Sequence, residues 1–186
     1  MIIYLHGLNS SPLSSKAILL AEYCAAHGID CAVPQLRHRP SQAVAQIKSI
    51  LQDGGNHTLV GSSMGGYYAT WFCERYDTVR AVLVNPAVRL ADKLSDYVGK
   101  EQKLYHSDES YQFTNVHVQE LRELEVMRAA QLEKYILMVQ TGDEVLDHRE
   151  AVTYYAGVQQ IVEDGGNHSF VGFERHLPTI VAHAQK

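Results

Sequence analysis

Short apolar runs alternate with amphipathic stretches along most of this chain, which predicts strands separated by helices. Residues 2–5 (Ile2, Ile3, Tyr4, Leu5) are continuously apolar and close on His6-Gly7, as a short buried strand would. Residues 13–27 place Leu13, Ala17, Leu20, Ala21 and Cys24 at helical spacing, with Gly28 as the stop. A second strand is expected over 29–33, ended by Pro34, and Ser41 is placed to cap a helix over 42–52. After Asp53-Gly54-Gly55-Asn56 come a strand over 57–61, a helix over 64–76 and a strand over 79–84, closed by Asn85-Pro86.

The rhythm lapses between 87 and 133, where no strand is predicted. Leu90, Leu94, Tyr97 and Val98 suggest one amphipathic helix stopped by Gly99, and Val118, Leu121 and Leu124 suggest another. Strand 135–140, helix 148–156, strand 158–163 and a closing helix 172–184 then complete the pattern. Six strands alternating with helices predict an α/β fold, a mainly parallel six-stranded sheet with helices on both faces. Residues 1–186 are read as one domain. Within it, 87–133 is a helical insertion near the sheet's carboxyl edge, either a cap over a site or a longer crossover.

Composition changes this picture little. Hydrophobic residues make up 46% and charged residues 20% of the 186, ordinary for a soluble globular protein. A net charge of −5 offers no basic footprint for nucleic acid or an anionic membrane, so neither is expected as a partner. Cys24, Cys31 and Cys73 are odd in number and lack C-x-x-C spacing, which fits buried thiols better than a disulfide framework or a zinc site. The apolar start is too short for a signal peptide or a membrane span. A cytoplasmic protein is the expectation.

Candidate chemistry enters at Gly61-Ser62-Ser63-Met64-Gly65-Gly66. Here G-x-S-x-G falls between a β-rich run and a helical one, the context in which a serine sits on a sharp strand-to-helix turn. The tight turn needs very small flanking residues, and the new helix presents its N-terminus to negative charge nearby. In an open parallel sheet, chemistry collects past the carboxyl ends of the strands, so partners of Ser63 should come from loops that follow strands. Asp-Gly-Gly-Asn-His occurs twice, at 53–57 and 164–168. His57 starts the strand that leads to Ser63, and about five residues at ~3.3 Å each put it roughly 15 Å away. It is expected to be a solvated strand-start residue. His168 follows strand 158–163 and is the candidate base. The acid should lie between serine and histidine in sequence, and the loop after strand 135–140 offers Asp143 and Asp147. Asp143 leaves the strand directly, whereas Asp147 is placed to cap the next helix. Oxyanion donors are expected from the backbone N–H groups of Met64 and Leu8, with Gly7 allowing close approach and His6 as an orienting residue.

Together, His6-Gly7, the G-x-S-x-G at 61–65, Gly142-Asp143 and Gly166-Asn167-His168 resemble an α/β-hydrolase. Tyr4-Leu5-His6-Gly7-Leu8-Asn9-Ser10-Ser11-Pro12, Gly61 to Ala69 and Val84-Asn85-Pro86-Ala87 are similar to the YqiA-type small bacterial esterases. The likeness spans nearly the whole chain, and only 87–133 is generic. It implies a serine esterase or thioesterase acting on a small acyl ester, acyl-CoA among the candidates, with Ser63, His168 and Asp143 as triad and no metal or cofactor. The first two antiparallel strands of larger hydrolases would be absent. Tyr97, Tyr105, Tyr111 and Phe113 of the insertion are candidate walls of an acyl pocket. Two alternatives stay open: a catalytically idle binding module on the same scaffold, and a triad hydrolase acting on C–C or amide bonds.

Overall fold

The structure, a computed structural model, describes residues 1–186 apart from the side chain of Asp53. In chain order the elements are β1 (Ile2–Leu5), α1 (Ser15–Ala26), β2 (Cys31–Ala32), α2 (Pro40–Ile50), β3 (His57–Ser62), α3 (Met64–Cys73) and β4 (Val79–Val84). A short helix α4 (Leu90–Lys93), a hairpin of β5 (Glu101–Lys103) and β6 (Ser110–Gln112), and α5 (Asn115–Glu123) follow. The chain ends with β7 (Tyr135–Gln140), α6 (His148–Tyr154), β8 (Gln159–Glu163) and α7 (Leu177–Ala184).

Six strands form one sheet in the order β2-β1-β3-β4-β7-β8, and every neighbouring pair is parallel. β1, β3 and β7 are buried at every residue, as strands covered on both faces must be. Alternate side chains feed two cores. Ile2, Tyr4, Val60, Val82, Ile136 and Met138 meet Ala17 and Leu20 of α1 and Leu177 and Ile180 of α7. On the other face Ile3, Leu5, Leu59, Leu83, Leu137 and Val139 pack with α2, α3 and α5. The chain leaves β1 toward β2 and then returns to β3 on β1's far side. The carboxyl ends of β1 and β3 therefore flank a point where the winding reverses, the place where open α/β sheets form a crevice.

Several expectations are corrected. The strand expected over 29–33 is only Cys31–Ala32, an edge pairing of two residues. Ser41 does not cap α2. Arg39 holds the N-cap position, Pro40 opens the helix, and the Ser41 N–H and hydroxyl both donate to Glu120 of α5 (3.2 and 2.8 Å). The helix expected over 172–184 starts as a 3-10 turn, Phe173–His176, before α7 begins with Pro178 in its first turn. The strandless reading of 87–133 missed β5 and β6, which form a two-stranded antiparallel sheet of their own. His57 is not solvated: β3 is central, and its first residue is only 3% exposed. Among the described residues no helix is long and apolar enough to cross a membrane.

Candidate active site

Ser63 stands between β3 and α3 with φ 54° and ψ −119°, a region a non-glycine residue occupies only when its surroundings force it. Those surroundings are specific. Ser63 N–H donates to the Val84 carbonyl (3.1 Å), and the Ser63 carbonyl accepts from Gly66 and Ala87 (3.0 and 3.1 Å). A Cβ on Gly65 would lie 1.9 Å from the Leu5 carbonyl oxygen, and one on Gly61 would lie 2.4 Å from the Gly65 oxygen. The turn closes only because neither residue has a side chain. Met64 opens α3, so its N–H has no acceptor inside the helix.

The loop after β1 lies against this elbow: the Cβ position of Gly7 is 3.3 Å from Ser63 Cβ and 3.7 Å from its Oγ. His6 sets that loop's orientation. Its Nε2 accepts from the Leu36 N–H (3.0 Å), so Nδ1 carries the proton and donates to the Gly7 carbonyl (2.9 Å). Burial lowers the His6 pKa, against a raising contribution from the Gly7 bond. Ser10 N–H also donates to the Gly7 oxygen (3.2 Å). In a trans peptide C=O and N–H point opposite ways, so anchoring this carbonyl aims the Leu8 N–H away from His6. His6 thus orients the peptide that carries the Leu8 N–H.

The Asp143 side chain is 1% exposed and accepts from His168 Nδ1 at 2.8 and 3.0 Å through its two oxygens. Oδ1 also accepts from the Val145 and Leu146 N–H groups, both at 2.9 Å. Burial acts to raise the Asp143 pKa, but the hydrogen bonds from His168, Leu146 and Val145 outweigh it and leave the carboxyl below its usual value. Nδ1 being spent on Asp143, Nε2 is the ring nitrogen left for another partner. Asp147 caps α6 instead, accepting from Arg149 N–H at 3.0 Å.

Three residues the sequence reading passed over hold the His168 loop. Asn85, in the left-handed region at φ 42°, donates through Nδ2 to the carbonyls of Asn167 and His168 (3.0 and 3.2 Å) and accepts from Gln140 N–H (3.0 Å). Gln140 Oε1 accepts from Asn167 and Val171 N–H (3.1 and 2.8 Å). Glu144 accepts the His168 N–H (3.0 Å), which lowers its pKa. An Asn-Pro pair closing a strand at the active end was the available signal for Asn85. Nothing in the sequence distinguishes Gln140 from any strand-end glutamine.

Ser63, Met64, Leu8 and His168 line one cavity of about 670 Å³, within the range of small-molecule sites. Leu90, Leu94, Tyr97 and Tyr105 of the insertion form part of its wall. The expectation for the other two aromatics is corrected. Tyr111 borders a smaller cleft, stacked on His38 and donating to Asn9 Oδ1 (2.8 Å), while Phe113 is 1% exposed and packed in the core against His117. Their alternating apolar and polar sequence context hides this difference, although both rings stack on His117. Among the described residues no group of three or more His, Cys, Asp or Glu is placed to hold a metal ion.

A parallel sheet with a serine elbow at its reversal point is an α/β-hydrolase fold, and solved structures agree. Mouse α/β hydrolase domain-containing protein 10 matches with a TM-score of 0.76 at 18% identity over 97% of this chain and 88% of its own. A monoacylglycerol lipase of Paleococcus ferrophilus gives 0.72 at 18% identity over 98% and 94%. Est1E of Butyrivibrio proteoclasticus, solved with ferulic acid bound, gives 0.73 at 12% over 100% and 89%. At these identities the likeness establishes the fold. The chain belongs to the uncharacterised protein family UPF0227, the YqiA family, whose family model matches residues 1–185.

Proposed function

We propose that this protein is a serine hydrolase of carboxylic esters or thioesters, working through an acyl-enzyme on Ser63. The observation that carries the reading is the His168–Asp143 hydrogen bond opening onto the same cavity as the strained Ser63. His168 Nε2 takes the Ser63 hydroxyl proton as Oγ attacks the carbonyl carbon, and Asp143 stabilises the imidazolium. The N–H groups of Met64 and Leu8 receive the developing oxyanion. The carbon–oxygen or carbon–sulfur bond to the leaving group then breaks, and His168 hands that group the proton. Water, deprotonated by His168, attacks the acyl-Ser63 and releases the acid. No step needs a metal or cofactor. The name of one structural neighbour, a monoacylglycerol lipase, favours ester chemistry over C–C or amide cleavage. Residues 87–105 serve as the cap, with Tyr97 and Tyr105 against the acyl chain.

A panel of p-nitrophenyl esters and acyl-CoAs tests this, with the Ser63→Ala variant beside the wild type. We expect kcat to fall on the order of 10⁴-fold or more with the fold retained. Activity kept within about tenfold in the variant would remove the serine mechanism.

A further inference from the structure

Lys16 borders the same cavity as Ser63 and His168, yet it is only 9% exposed. Its Nζ donates to the Ser169 carbonyl at 2.8 Å, and among the described residues no carboxylate lies within ion-pair distance of it. The nearest negative charge that acts on it is Asp143, already engaged by His168. An ammonium has three donors, and burying one beside a single neutral carbonyl is costly unless an anion completes its shell. Burial lowers its pKa to about 8, so the group is still charged at neutral pH. Lys93, the other lysine on this wall, is paired with Glu150 (2.7 Å) and lacks this deficit.

The neighbourhood suits an anion further. Lys16 lies in the first turn of α1, a 12-residue helix with no acidic residue in that turn and no side-chain cap. Ser14, at its N-cap, lines the cavity with its Oγ buried and within reach of the Tyr4 hydroxyl. Ser15, Ser62 and Ser169 add hydroxyl-bearing residues to the same wall.

We propose that Lys16 is the anchor of an anion subsite, so that the ester this protein hydrolyses carries a carboxylate or phosphate on one of its limbs. The proposal rests on the serine-hydrolase reading. It predicts that the charged limb runs from the carbonyl at Ser63 toward the N-terminus of α1, where Lys16 Nζ donates to it. The charge-assisted bond fixes which limb lies where, which an apolar wall alone does not do.

The test compares charged esters with neutral counterparts of equal length on wild type, Lys16→Met and Ser63→Ala. The acyl limb is probed with p-nitrophenyl monoesters of adipic and suberic acid against their methyl-capped forms. The alcohol limb is probed with 1-butyrylglycerol 3-phosphate against 1-monobutyrin. In at least one pair the wild type should favour the charged member by about tenfold or more in kcat/KM, and Lys16→Met should bring that ratio near unity. Lys48→Met, at a lysine that stands over the Trp71 ring and does not line the cavity, should leave the ratio where it is. No preference in any pair overturns the subsite while leaving the hydrolase reading intact, provided Ser63→Ala is inactive on the neutral esters. Equal loss on both members in Lys16→Met also overturns it, making Lys16 a tether for Ser169 alone. Hydrolysis that survives Ser63→Ala overturns both readings. Should Lys16→Met not fold, the wild-type ratios decide.

Discussion

Asp143 and Asp147 share one loop, and the choice between them turned on where β7 stops and α6 starts. The boundary was legible because Tyr135–Val139 is an apolar run and His148-Arg149-Glu150-Ala151 a helical start. Asp143, proposed as the triad acid, is buried against His168, while Asp147 caps α6 and pairs with Arg149 at the surface. Asp143→Asn removes the charge that orients the base and should cost roughly 10³–10⁴-fold in kcat. Asp147→Asn keeps a competent cap and should leave kcat within about threefold and the Tm nearly unchanged. Steady-state kinetics on both variants checks this, and a reversed order would mean the acid is misassigned. Asn85 marks the limit of such reasoning. It was passed over because an amide is no carboxylate, yet its two ends tie together β7 and the His168 loop. A supporting residue of this kind is chosen by distance in space, which spacing along the chain does not carry.

Elements were readable where they bury an apolar face and unreadable where polar contacts hold them. Val118 and Leu121 announced α5 because both enter the core. The polar triplets of β5 and β6 gave no such signal. Asn9, in the loop after β1, fastens their hairpin: it donates to Gln102 Oε1 (3.0 Å), accepts from Tyr111 OH (2.8 Å), and its carbonyl accepts from Tyr105 N–H (2.7 Å). A second tie joins α5 to the loop before α2. His117 Nδ1 accepts from Thr114 N–H (3.1 Å), so its Nε2 donates to His38 Nδ1 (3.1 Å), and both rings must stay neutral. Burial lowers both pKa values; Arg39 adds to this at each ring, with Arg37 acting on His38, while Glu120 opposes it. The unfolded chain therefore binds more protons below about pH 6.5, and the stability this pair contributes is complete above that pH and lost below it. Between about pH 7.5 and about pH 5.5 the wild-type Tm should fall, and in His38→Phe, with one of the two rings gone, it should fall less. An equal fall, measured by calorimetry, would take the pair out of the account.

At the scale of the molecule, the two copies of Asp-Gly-Gly-Asn-His show what topology adds to motif. One ends at His57, which opens β3 at the amino end of the sheet; the other ends at His168, past the carboxyl end of β8. Sheet direction alone sorted them, and it did so without any knowledge of contacts. The same rule placed Leu8, Ser63, Asp143 and His168 at one edge, because each follows the end of a parallel strand. What it could not place was the inner surface of the insertion, where Tyr97 and Tyr105 reach the cavity and Phe113 turns into the core. In the proposed mechanism this edge performs acyl transfer through Ser63. Its most direct test is to quench the wild-type protein during turnover of a p-nitrophenyl ester and map the acyl group by peptide mass. An acyl adduct is expected on the peptide bearing Ser63, absent from the Ser63→Ala protein. Turnover with the adduct on another residue, or turnover that persists in Ser63→Ala, would contradict it.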